Sequence, residues 1–154
     1  MEQHLRFRTR LLIRIFLAST MVALATHYAS AADLTIHVIN ENNSSGVAFI
    51  SVQPASEANS FPRGKAIYNK KMAMIPHSKA KFTIKDIPSG AYAVSAFLDI
   101  NNNQKLDMNL IGAPTEPYGF SNDARGLFGP PEFTDAAFII KKDTMRNRHT
   151  IKIY

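Results

Sequence analysis

No cysteine occurs in the 154 residues. That excludes disulfide staples, thiol nucleophiles, CxxC redox motifs and thiolate zinc sites. No twin-arginine pair stands in the N-terminal region, and no cysteine follows it to carry a lipid. After residue 31 no apolar run is long enough to cross a bilayer as a helix, which takes ~20 residues. GxSxG, HExxH, P-loop and GxGxxG patterns are all missing, which removes the common hydrolase, zinc-protease and nucleotide-binding signatures. Helical periodicity is scarce after residue 32, which argues against a helical class. The three histidines beyond the leader, His37, His77 and His149, lie far apart and show no metal-ligand spacing.

What is present begins with a leader. Arg6, Arg8, Arg10 and Arg14 form a basic stretch, an apolar segment runs from Leu11 to Ala25, and Ala29-Ser30-Ala31 fits a small-x-small cleavage site. This is the layout of a secretory signal peptide. Cleavage near Ala31 would leave one domain over 32–154, large enough to bury a core without staples. The net charge of +6 is mostly leader: without its four arginines and one glutamate, fourteen basic side chains face eleven acidic ones. That balance is too mild and scattered for nucleic acid, and Lys70-Lys71 and Lys141-Lys142 read as solvated faces. With no cysteine, no lipid attachment and no sortase-type tail, a periplasmic location is expected, with release outside the cell as the other course.

The mature chain reads as short alternating runs between turn residues, the all-β signal. Strands are expected at 33–40, 47–54, 79–87, 91–100, 136–142 and 149–154. Residues 55–65 read as a loop, 66–76 as ambiguous, and 143–148 as a polar turn. In 91–100 both faces carry apolar or small residues, as in a central strand. Tyr154 reads as a core or edge aromatic. Residues 108–135 lose all strand pattern and carry four glycines and four prolines. Loops this long are usually functional or disordered. Tyr118, Phe120, Phe128 and Phe133 give this one the apolar mass that disordered segments lack. An ordered Ω-like loop is expected. Its aromatics either anchor it or line a ligand groove, for which Tyr118, Phe120, Asn122 and Phe128 are the candidates.

The stretch LDINNNQKLDMN (98–109) carries the chemistry. Asp99, Asn101 and Asn103 fall on odd steps, as oxygen ligands do in a calcium loop. The Lys105 carbonyl and Asp107 would follow, Asp107 directly or through water. An EF-hand would need a bidentate Glu at the twelfth position, where Leu110 stands, so the pattern is a short D-x-N-x-N-x-x-x-D loop. Two carboxylates predict weak, millimolar-class calcium binding of a structural kind. The competing reading is a polar turn, which Asn and Asp favour through bonds to the local backbone. Glu116 and Asp123 flank PYGFSN and could pair as acid and base in a hydrolase, a remote alternative. Ser121 has no evident base partner.

Several motifs together carry a family resemblance. They are Pro88, Gly90, Tyr92, Ala93 and Val94; then Asp99 to Asp107; then Gly112, Pro114, Glu116, Tyr118, Gly119, Phe120, Ser121 and Asn122; then Phe128, Pro131, Phe133 and Ala136. The chain resembles DUF2141, a family of uncharacterised bacterial secreted proteins, through its motifs over about 88–140 and through its strand pattern over 33–154. The resemblance implies a small exported β-sandwich and no assigned activity, and it favours the ion reading of the Asp99 loop. One departure is Gln104, where the family loop usually has glycine. That position often takes a positive φ, which costs a non-glycine residue on the order of 1 kcal/mol.

The expectation is therefore an all-β, Ig-like or transthyretin-like sandwich of about seven strands with one long ordered loop. It would serve as a non-enzymatic binding or accessory module. The alternative is a purely structural envelope-interaction domain. A small molecule, a glycan or an envelope protein would be the partner, and neither nucleic acid nor a transmembrane segment of the mature chain is expected.

Overall fold

A computed structural model describes residues 31–141 and 147–154. The leader lies outside the described residues, as does most of the polar turn expected before the last strand. Eight strands form two sheets among the described residues: β1 (Ala31–Asn40), β2 (Gly46–Pro54), β3 (Tyr68–Met74), β4 (Lys79–Pro88), β5 (Gly90–Asp99), β6 (Tyr118–Phe120), β7 (Phe138–Ile140) and β8 (Asn147–Ile153). One four-residue helix, α1 (Phe133–Ala136), precedes β7.

Alternation builds the first sheet, in the order β4-β1-β8. Leu34, Ile36 and Val38 of β1 are buried, with Phe82 and Ile84 of β4 and Ile151 and Ile153 of β8. Between them Thr35, His37 and Ile39 point the other way, as a period of two requires. β4 pairs antiparallel with β1, and β8 pairs with β1 in parallel, Val38 opposite Ile151. The second sheet runs β3-β2-β5, and both β6 and β7 pair with β5. β7 takes the Gly90–Tyr92 stretch and β6 takes Ser95–Phe97. Ala48, Ile50, Val52, Val94, Ala96 and Leu98 meet the first sheet in one apolar cluster, which makes a β-sandwich. β5 is the central strand expected from its two-sided apolar pattern.

A second cluster covers the outer face of the five-stranded sheet. Ala93, Phe120, Phe133 and Ala136 pack there with Phe61, which follows a short 3₁₀ turn at Ala55–Ser60. Phe61 stands edge-on to Phe133 at 5.8 Å and tilted against Phe120 at 5.7 Å. These two aromatics tie the long 108–135 connection to the sandwich. The connection is not free of strands as expected: it contains β6, and α1 takes Ala136, assigned to the start of a strand over 136–142. Both elements are too short to show a period.

The two sheets also meet along one edge. Phe138 of β7 stacks on His149 of β8, ring centroids 3.6 Å apart. Further along, Gly119 of β6 lies against the Lys152 carbonyl of β8, and the Tyr154 N–H donates to the Tyr118 carbonyl. Burial of His149 pushes its pKa below the usual imidazole value. The unfolded imidazole then binds protons more readily than the folded one. Stability is therefore intact above about pH 6.5 and falls as pH drops below it. Melting curves taken downward from neutral pH should show this loss, and His149→Gln should remove that part of it.

Three connections share the end of the sandwich where β5 finishes. Val47 pairs with Asp99 and Gly46 with Met74, so the β1–β2 connection, the β3–β4 turn and the Asp99 loop are neighbours. Asn40, fully buried, ties the first two together: its amide donates to the Ser44 and Ile75 carbonyls, and its oxygen accepts from Asn42 N–H.

Candidate functional site: the Asp99 loop

β5 delivers Asp99 to its last position, where the side chain is 1% exposed. A carboxylate there needs donors, and the loop folds back to supply them. Asp99 Oδ1 accepts from Asn103 N–H at 3.1 Å and Oδ2 from Gln104 N–H at 2.8 Å. Two further turns follow in series. Asn101 Oδ1 accepts from Asn103 N–H at 3.1 Å, and Asn103 Oδ1 accepts from Lys105 N–H at 2.8 Å. These are the local side-chain-to-backbone bonds that make Asn and Asp turn formers. Asn102 and Gln104 take positive φ, 63° and 64°. The strain expected at Gln104, where the resembling family has glycine, is therefore present.

Asp107 closes the loop. Its two oxygens accept from the side-chain amides of Asn101, at 2.6 Å, and Asn103, at 2.9 Å. Asp99, Asn101, Asn103 and Asp107 are thus drawn into one hydrogen-bonded loop, with Lys105 joined to it by its backbone N–H. The Asn101 and Asn103 amides are fixed in this sense, since a half-turn of either would set its nitrogen against the N–H that its oxygen accepts from. Among the described residues no group of three or more His, Asp or Glu side chains is placed to hold a metal. An ion here would have to rely on amide and carbonyl oxygens beside two carboxylates.

Glu116 supplies what the spacing did not reveal. It is 6% exposed. Its Oε1 accepts from Ile100 N–H at 2.8 Å and its Oε2 from Asp107 N–H at 3.1 Å. One carboxylate therefore clasps both feet of the loop, and Thr115 N–H reinforces it by donating to the Asp107 carbonyl. The available signal was a lone acid, set between Pro114 and Pro117, in an otherwise uncharged run from Met108 to Gly119. Asp123 has different partners. It accepts from the Tyr154 hydroxyl at 3.1 Å and lies 3.5 Å from Arg125. The two carboxylates considered as an acid–base pair share no partner.

The groove candidates separate. Tyr118 and Phe120 line a cavity of about 190 Å³ together with Asp123, Arg125, Gly126 and Pro131. Phe120 is otherwise buried in the second cluster. Asn122 spends its side-chain amide on the Asp135 and Ala137 carbonyls. Phe128 is fully exposed and does not line the cavity. Ser121, fully buried, accepts from Val94 N–H and donates to the Ala136 carbonyl, so its hydroxyl is structural.

A family model described as an uncharacterized protein conserved in bacteria (DUF2141) matches residues 36–148. The chain belongs to DUF2141. The DUF2141 match runs from Ile36 of β1 into the start of β8, so it holds the Asp99 loop, its Glu116 clasp and the whole long connection. No curated protein and no solved structure matches the chain.

Proposed function

We propose that this DUF2141 chain is an exported, non-enzymatic binding or accessory module whose Asp99 loop takes up a calcium ion weakly. The ion would order the connection that follows β5. The observation that carries the reading is the convergence of Asp99, Asn101, Asn103 and Asp107 in serial turns, with positive φ at the two intervening positions. Export is supported by the basic-apolar-small layout of residues 1–31. The non-enzymatic reading is supported by Glu116, whose oxygens both hold backbone N–H groups.

Within this reading Asp99 and Asp107 bring the charge, Asn101 and Asn103 bring the neutral amide oxygens that head the serial turns, and Lys105 brings a carbonyl. A bound calcium supplies a positive centre that replaces the amide-to-carboxylate bonds. The test is thermal melting of residues 32–154. Calcium at ten times its dissociation constant should add about 1.4 kcal/mol, or a rise of a few degrees. Asp107→Ala should cancel that rise while leaving the Asp99 turns in place, and magnesium should produce little of it. An unchanged melting temperature at several-millimolar calcium would mean that the loop is a self-satisfied turn in a purely structural domain.

A further inference from the structure

The geometry points to the hairpin tip at Leu110-Ile111 as a shallow anchor in a lipid bilayer surface. The tip follows the Asp99 loop directly. Met108 bridges back to Pro114, and Leu110 and Ile111 stand at the turn with their side chains fully or almost fully in solvent. Met108 and Ile100 are exposed beside them, and Ile75 is exposed on the β3–β4 turn at the same end of the sandwich. Isolated exposed apolar residues are ordinary, but neighbouring ones concentrated at one end mark a contact site.

Three features favour a bilayer over a protein partner. First, the tip satisfies four of its five backbone donors, all but the Leu110 N–H. Asn109 Oδ1 accepts from Ile111 and Ala113 N–H, the Asn109 carbonyl accepts from Gly112 N–H, and Asn109 N–H donates to the Ala113 carbonyl. Holding most of its donors internally lowers the cost of moving the tip from water to the bilayer surface. Second, no charged side chain occurs from Met108 to Thr115, so nothing charged is carried inward. Third, the tip is convex and small. A stable protein interface takes ~20–30 residues a side, whereas a few apolar side chains suffice for weak interfacial binding. Lys105, exposed on the adjoining loop, is placed to meet anionic headgroups.

The test uses residues 32–154, from which both apolar clusters are entirely built. The chain has no tryptophan, so Ile111→Trp introduces a single reporter at the tip. Ile67→Trp places one on an exposed site just before β3, toward the opposite end. Vesicles of phosphatidylethanolamine and phosphatidylglycerol should shift the emission of the first to the blue and leave the second unchanged. Wild-type protein should sediment with the vesicles. The double variant Leu110→Asn, Ile111→Asn should do so roughly tenfold less, and Ile139→Asn on β7 should match wild type. Equal sedimentation of the double variant, or no shift at the tip, overturns the proposal. So does a concentration-dependent dimer that the double variant abolishes, because the tip would then be covered by a second copy.

Discussion

Gly119→Ala is expected to be the most damaging conservative change in the chain, costing about 3 kcal/mol or more. A methyl group at Gly119 would overlap the Lys152 carbonyl oxygen of β8, and backbone cannot swing aside as a side chain can. Either β6 must leave β5 or the seam between the two sheets must open. Both would disturb the Tyr154-to-Tyr118 bond and the packing of Phe120 beneath Phe61. Domains of this size are stable by ~5–15 kcal/mol, so the loss is a large fraction of the total. Gly90→Ala is the control, since its added carbon would meet only the Tyr92 ring at ordinary contact distance, 3.6 Å or more. Urea midpoints should fall sharply for the first variant and barely move for the second. Equal midpoints would mean that β6 and β8 do not approach as described.

Glu116→Ala should follow closely in size. The carboxylate is nearly buried and accepts two backbone N–H bonds, and removing it strands both donors. Hydrogen bonds to a charged group are worth ~1.5–3 kcal/mol each. Some of that returns if water reaches the opened loop, so a net cost of about 3 kcal/mol is expected. Glu116→Gln keeps one acceptor and should cost about half as much. Amide hydrogen exchange locates the effect. Ile100 and Asp107 should lose protection, while Ile36 and Val94 in the core strands should change only as far as global stability falls. Unaltered protection at Ile100 and Asp107 would remove Glu116 from its role as clasp.

Much of the fold was legible because its long strands alternate cleanly. Leu34, Ile36 and Val38 announce β1, and Phe82 and Ile84 announce β4. The long connection was harder. β6 is three residues with a glycine at its centre, chosen for the approach to Lys152 rather than for strand propensity, so no period could show. Among the loop aromatics, sequence alone could not separate Phe120 and Phe133, which pack on Phe61, from Phe128, which points into solvent. That distinction depends on a residue some sixty positions earlier. The Asp99 loop was legible through its spacing, because serial turns are local. Its clasp was not, since Glu116 meets the loop through tertiary contact alone.

The parallel pairing of β8 with β1 carries a consequence in time. Residues 34–40 gain their second neighbour only from residues 147–153, the last strand of the chain. While the chain is being made, β1 can have β4 beside it but keeps one open edge. Non-local pairing of this kind is slow, and unpaired edges invite wrong partners. The native state is therefore deferred until the C-terminal residues emerge. Until residues 147–153 are available, the β1 edge is kept open by the chain's own topology.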